Sequence, residues 1–183
     1  PRAALRVAPR GDLADVLAAG PARQLPPPAP VGLAQPTVVS RGEEMGRTVH
    51  PGLIGITRPG LADRDVITAT IERVVFGSAG AIRDPDGGLR VEPLVRSPNS
   101  AALLPAERFV DLQDPGELAR GLRPDGKLYT VAARLSGDLR SAWPEGPPEG
   151  AEPPETGHRA AAPGPAHLVL FADTDLLADR LWI

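Results

Sequence analysis

Two aspartates near the carboxyl end of the chain, Asp173 and Asp175, have the residue types and the spacing to do chemistry. They directly follow a strongly apolar run, His167 to Ala172, which predicts a strand. An Asp-x-Asp pair at a strand end can supply a nucleophile, Asp173, and a neighbouring acid, Asp175, for the transfer of a phosphoryl group. One hypothesis for the function is therefore a metal-dependent hydrolase or phosphatase.

The rest of the sequence favours a structural role for both carboxylates. The run resembles the start of the haloacid-dehalogenase phosphatase motif. The active site of those enzymes also needs a lysine and further carboxylates later in the chain. Here eight residues follow Asp175, and the only lysine, Lys127, precedes it. We expect Asp173 to close the strand and Asp175 to cap a helix that begins near Leu176, because carboxylates accept the free N–H groups of a first helical turn. We therefore predict no catalytic residue, no metal and no cofactor, and keep the hydrolase as the alternative.

A second candidate site follows an earlier predicted strand, at the turn Phe76-Gly-Ser-Ala-Gly80. Closely spaced glycines after a strand can cradle a phosphate, but this turn lacks the lysine of a P-loop and the third glycine of a dinucleotide fingerprint. Ligands of α/β domains bind beyond the carboxyl ends of strands. We therefore predict any ligand site at Gly77, Ser78, Gly80, Asp173 and Asp175.

Composition excludes several classes of function. The formal net charge is −3 with both signs interspersed, so no basic surface for nucleic acid is expected. Aromatic residues make up 3% of the chain, which leaves little material for stacking on bases or sugars. The absence of cysteine excludes disulfides, thiolate metal sites and cysteine nucleophiles. His50, His158 and His167 are too scattered to form a helical metal-binding pair.

Local patterns predict one α/β domain over residues 1–183, with short helices and long loops rich in Pro and Gly. Two segments are predicted to be irregular: a proline-rich loop at 21–36 and a mobile insertion at 144–166. The predicted strands are 37–40, 47–50, 52–56, 71–76, 89–95, 129–135 and 167–172. The predicted helical segments are 12–20, a turn at 66–69 capped by Asp65, 105–112, 115–121 and one from about 176.

Several motifs in a fixed order resemble the GldG-like, gliding-motility-type family of ABC-transporter auxiliary proteins. They include Pro51-Gly-Leu-Ile-Gly-Ile, Val74-Val-Phe-Gly-Ser-Ala-Gly-Ala, Tyr129-Thr-Val-Ala-Ala-Arg-Leu-Ser-Gly and Ala172-Asp-Thr-Asp-Leu. The resemblance covers most of the chain and is carried by the order of the motifs more than by any one of them.

The resemblance implies a mixed sheet related to glutamine-amidotransferase-like (flavodoxin-like) domains, incomplete at its N-terminal side. It also implies a non-enzymatic ligand- or partner-binding domain outside the cytoplasm that works with a permease and an ATPase. Segments outside this sequence would anchor it to the bacterial inner membrane. An edge exposed by the incomplete sheet could be covered by a partner or by a second copy in a homo-oligomer.

Overall fold

The computed structural model of the protein describes residues 15–19, 32–41, 44–83, 89–141, 143–147 and 157–178, with side chains from residue 49 onward. Eight strands account for most of the regular structure in these ranges. They are β1 (Asp15–Ala19), β2 (Gly32–Arg41), β3 (Glu44–Thr57), β4 (Arg73–Gly77), β5 (Arg90–Arg96), β6 (Ala101–Pro105), β7 (Thr130–Gly137) and β8 (Ala166–Phe171).

The strands form three sheets, with the orders β1-β6, β2-β3-β4 and β5-β7-β8. The helices are short: α1 (Gly116–Ala119) and three 3₁₀ turns, Arg58–Gly60, Ala106–Phe109 and Asp175–Leu177. The predicted α/β class with short flanking helices is thus confirmed. Each pair of described strands is antiparallel, and the relation to flavodoxin-like domains stays a prediction.

The predicted small antiparallel unit is confirmed in its strands, because β2 pairs with β3 and Arg41 lies opposite Glu44. Gly42 and Glu43 of the predicted turn lie outside the described residues. The predicted strands 47–50 and 52–56 are parts of one strand, β3, and the predicted loop 21–36 ends earlier because Gly32 already belongs to β2. Proline does not prevent either strand. Pro36 lies on an edge strand. Pro51 lies at a bulge of β3, between His50, which pairs with Gln35, and Ile54, which pairs with Ala34, and a bulge tolerates proline.

The predicted helix over 12–20 is wrong for its described part, which is strand β1. β1 pairs with β6, so that Asp15 lies opposite Pro105 and Ala19 opposite Ala101. A short apolar run is compatible with either helix or strand, and the pairing with β6, which the sequence did not predict, decides the outcome here. Asp12, the predicted cap, and residues 21–31 lie outside the described residues.

The core lies where the β2-β3-β4 and β5-β7-β8 sheets meet. Phe76 on β4 is fully buried opposite Ile54 on β3, and both belong to the main apolar cluster with Leu94 and Val131. Strand β7 is central in its sheet and buries residues of both faces, including Ala132 and Ala133. The predicted strands 71–76, 89–95, 129–135 and 167–172 are confirmed within two residues at each end.

The remaining elements are shorter than predicted. The segment 105–112 contains one 3₁₀ turn, and 115–121 contains the single helical turn α1. Asp65 does begin a turn, because its Oδ1 accepts the N–H of Ile67 at 2.9 Å. Of the insertion predicted at 144–166, residues 148–156 lie outside the described residues, while Ala160 accepts the N–H of Ser141 at 2.9 Å.

Candidate functional site

The two candidate segments chosen from the sequence lie side by side. The N–H of Gly77, at the end of β4, donates to Oδ2 of Asp173 at 2.8 Å. The N–H of Gly80 donates to the carbonyl of Ala172 at 2.7 Å. The turn after β4 is therefore bonded directly to the turn after β8, and we call residues 77–80 and 172–176 together the strand-end junction.

Asp173 is the centre of the strand-end junction. Its Oδ1 accepts the N–H of Asp175 at 2.7 Å, and the N–H of Leu176 also bonds to its carboxylate. The prediction that Asp173 closes the strand is confirmed, but the prediction that Asp175 caps the helix is wrong. Asp175 is the first residue of the 3₁₀ turn, so the acceptor of its N–H is the carboxylate two residues before it.

Burial raises the pKa of Asp173 above the ordinary aspartate value, and the neighbouring Asp175 carboxylate acts in the same direction. The three N–H groups from Gly77, Asp175 and Leu176 oppose this rise, because they stabilise the ionised form. The carboxylate is half-buried and held on both oxygens, which suits a structural acceptor.

The glycine turn of the junction has little room and no idle backbone donor at its three predicted ligand positions. A Cβ on Gly77 would lie 3.2 Å from Cβ and Oδ2 of Asp175, so a side chain there would crowd the neighbouring turn. Ser78 has a φ of 53°, is exposed, and donates its N–H to the carbonyl of Gly52 at 2.7 Å. A phosphate bound here would have to replace these bonds of Gly77, Ser78 and Gly80.

The surroundings of the two aspartates bear on the hydrolase alternative. Such a site needs a third acidic or imidazole group close to Asp173 and Asp175. Within the described ranges, no three His, Asp or Glu side chains converge in a way that could hold a metal ion. His50, half-buried on β3, instead accepts the N–H of Gly52 on Nδ1 at 3.1 Å.

Comparison with protein families decides the class of protein. A sequence model of the family described as "ABC-type uncharacterized transport system", an auxiliary family, matches residues 31–183. The chain belongs to this family. The match spans most of the chain, including both halves of the strand-end junction. Neither the curated proteins nor the solved structures gave a significant match.

As a member of this family, the protein is an auxiliary component of an ABC-type transport system. Among the described residues, no helix combines the length and the apolar composition needed to cross a bilayer.

The auxiliary protein also contains a charged site that the sequence did not reveal. Arg134 on β7 forms a bidentate ion pair with Asp65, with Nε to Oδ2 at 3.0 Å and Nη2 to Oδ1 at 2.9 Å. Both side chains are largely covered, at 28% and 18% exposure. The pair lies beside a cleft of about 270 Å³ lined by residues 62–65 and 92–94.

One sequence signal pointed towards a member of this ion pair, because Asp65 is predicted to cap the turn at 66–69. No such signal joins it to Arg134, which lies 69 residues away. The hydrogen bonds from Arg134, followed by that from the Ile67 N–H, lower the pKa of Asp65. The pair fixes the 65–69 turn against one face of the β5-β7-β8 sheet. Glu92 of β5 lies on the same face, directly opposite Arg134.

Proposed function

We propose that the protein is a non-enzymatic, extracytoplasmic binding or scaffold domain of the GldG-like subtype within its family. The family match over residues 31–183 supports the role in ABC-type transport. The subtype rests on the order of the motifs, from Pro51-Gly-Leu-Ile-Gly-Ile to Ala172-Asp-Thr-Asp-Leu. In this proposal the permease and the ATPase of the same system are the partners.

The observation that carries the non-enzymatic part of the proposal is the bonding of Asp173. A nucleophilic carboxylate needs one oxygen directed at the substrate, whereas both oxygens of Asp173 accept backbone N–H groups. The same bonds hold the ends of β4 and β8 together. The carboxylate thus has a positioning role between two strand ends, which is compatible with a binding or scaffold domain.

The binding test uses the full-length protein co-expressed with the permease and ATPase subunits of its system. We expect the three to co-purify, and the complex to survive Asp173→Asn, which retains an acceptor for the Gly77 N–H. Protease treatment of spheroplasts tests the location, because an extracytoplasmic domain anchored to the inner membrane by segments outside this sequence is cleaved from outside. Absence of co-purification, or full protection of the domain in intact spheroplasts, would contradict the proposal.

The hydrolase alternative is tested by thermal unfolding with and without Mg²⁺, Mn²⁺ and Ca²⁺. A metal that binds only the folded state raises the melting temperature. We expect no metal-dependent rise in the wild-type chain. A rise that disappears in the Asp173→Asn/Asp175→Asn variant would replace our proposal with a metal-dependent hydrolase and direct the search to phosphate esters.

Ligand binding at Gly77, Ser78, Gly80, Asp173 and Asp175 is tested separately, with inorganic phosphate as the probe. We expect the protein to bind its partner subunits and not phosphate at this turn, since the backbone donors of the turn are already bonded within the protein. Chemical-shift changes confined to these residues on phosphate addition would establish the ligand site.

A further inference from the structure

Strand β8 forms one edge of the β5-β7-β8 sheet, and no described strand pairs with its outer side. The N–H of Ala172 bonds to the carbonyl of Val131 at 2.9 Å, in register with the β7–β8 ladder. Antiparallel ladders alternate, so Leu168 and Leu170 direct their backbone groups to β7. The N–H and C=O groups of His167, Val169 and Phe171 therefore point away from the sheet.

Apart from His167, the side chains of β8 are apolar on both faces. Leu168 and Leu170 pack against the cluster of Leu89, Ala133 and Leu135. On the opposite face Val169 and Phe171 are exposed at 40% and 37%. A strand with two apolar faces is typical of the interior of a sheet.

Strand β8 also lacks the features that protect edges from association. Natural edge strands carry lysine, proline, inward-pointing charges or bulges. The sequence Ala-His-Leu-Val-Leu-Phe contains no lysine, proline or acidic residue, and its pairing with β7 runs from Ala166 to Phe171 without a register shift. The edge is therefore regular, and among the described residues no further strand covers it.

We propose that β8 pairs with β8 of a second copy of this chain, antiparallel and about a two-fold axis at Val169. The two three-stranded sheets then join into one continuous sheet across the dimer. This inference does not depend on the permease, the ATPase or the proposed location of the domain.

A second copy fits this edge because the outward-facing residues are self-complementary. With the axis at Val169, that residue lies opposite Val169 of the second copy, and His167 lies opposite Phe171. The outward N–H and C=O groups of all three residues are then paired, in the closely spaced geometry of a hydrogen-bonded antiparallel pair. Leu168 lies opposite Leu170 on the other face, so the new cross-strand contacts are mainly apolar.

Charge also permits the pairing of two identical strands. The chain has a formal net charge of −3, but none of its acidic residues lies on β8. The one ionisable side chain of the strand, His167, faces Phe171 of the second copy and not its own equivalent. Like charges directly opposite each other, which destabilise strand pairs, are thereby avoided at the axis.

Disulfide cross-linking tests both the contact and its register, since the natural chain contains no cysteine. A hydrogen-bonded antiparallel pair places Cα atoms about 5.5 Å apart, within the range that a disulfide spans. We expect Val169→Cys to form a covalent dimer on mild oxidation. Val66→Cys, at a valine that is 86% exposed on another element, is the matched control and stays monomeric.

The register is tested with two further variants. A mixture of His167→Cys and Phe171→Cys proteins should cross-link much faster than either variant alone, because the two positions face each other only between different copies. Equal cross-linking of Val169→Cys and Val66→Cys would overturn the proposal. So would cross-linking of Phe171→Cys with itself that matches the mixture.

The oligomeric state supplies an independent measurement. Light scattering after size exclusion should show the wild-type chain shifting from monomer to dimer as its concentration rises. Val169→Lys places two like charges at the axis and should raise the dissociation constant at least several-fold, whereas Val169→Thr should leave it nearly unchanged. A wild-type chain that stays monomeric at millimolar concentration would refute the second copy as occupant and leave the edge to a different protein.

Discussion

Asp173 joins two strand ends that lie 96 residues apart in the chain, by accepting the N–H of Gly77 at 2.8 Å. The same carboxylate accepts the N–H of Asp175, so one side chain positions the turn after β8 against the turn after β4. The contact explains why two segments that look like separate ligand sites in the sequence form a single structural junction.

Replacement of Asp173 by alanine should destabilise the fold, because the N–H of Gly77 loses its acceptor in a buried position. Loss of hydrogen bonds to a charged group, with a donor left unsatisfied, costs about 1–3 kcal/mol. Urea denaturation measures the free energy of unfolding. The matched control is Asp138→Ala, at an exposed carboxylate, which should change this free energy by less than about 0.5 kcal/mol. Equal stability of the two variants would argue against the junction.

The ion pair of Asp65 and Arg134 should make stability depend on acid. The pKa of Asp65 is lowered in the folded protein, by the hydrogen bonds from Arg134 and then by that from Ile67. Its stabilising contribution is therefore complete above the ordinary aspartate value of 3.8 and is lost as the pH falls through the lower folded value. We expect Asp65→Asn to be less stable than wild type at neutral pH, with the difference shrinking in acid.

Denaturation of wild type, Asp65→Asn, Arg134→Lys and the double variant across this pH range checks the prediction. Arg134→Lys should also be destabilised, since lysine cannot form the bidentate contact. The double variant should be less destabilised than the sum of the single ones, because the two residues act on each other. Additive effects at neutral pH would show that the pair contributes no mutual stabilisation.

Gly52 should not tolerate a side chain. A Cβ at this position would lie 2.7 Å from Cε1 of Phe109, which is closer than carbon atoms approach. We expect Gly52→Ala to destabilise the protein by about 1–3 kcal/mol through overpacking. Gly164→Ala is the control, because nothing lies within 4 Å of its Cβ, and its thermal midpoint should be unchanged or slightly raised. Phe109→Leu should restore part of the stability lost in Gly52→Ala, and failure to do so would place the strain elsewhere.

His50 should add a second pH dependence, at higher pH. Burial lowers the pKa of His50 below 6.5, and its Nδ1 must stay unprotonated to accept the N–H of Gly52. The unfolded chain then binds protons more readily than the folded one, so stability falls as the pH drops from about 6.5 to the lower folded value. Asparagine can accept the same N–H without titrating.

We therefore expect His50→Asn to remove this part of the pH dependence, while His158→Asn, at an exposed position, leaves it in place. Thermal midpoints measured between about pH 7 and pH 5 separate the two variants, the range being set by the ordinary histidine pKa. An unchanged slope in His50→Asn would assign the effect to another group.

The local sequence was sufficient for elements whose signal lies within a few residues. The turn that Asp65 begins and the strands around Phe76, Leu135 and Leu168 follow from capping chemistry and from dense apolar, β-branched runs. Gly77 and Asp173 are also predicted as ligand-site residues from local pattern, since each follows a strand. These predictions hold in the structure because they depend on backbone geometry and side-chain volume near each residue.

Tertiary structure decided everything that depends on a distant partner. The run around Leu17 is a strand because β6 supplies its hydrogen bonds, and Pro36 is tolerated because β2 lies at an edge. The partners Asp65 and Arg134, and the bonding of Asp173 to Gly77, depend on contacts across 69 and 96 residues. The sequence by itself determined which short segments could form strands and turns, whereas only the packed sheets decided which of them meet, because pairing energy is realised between segments and not within them.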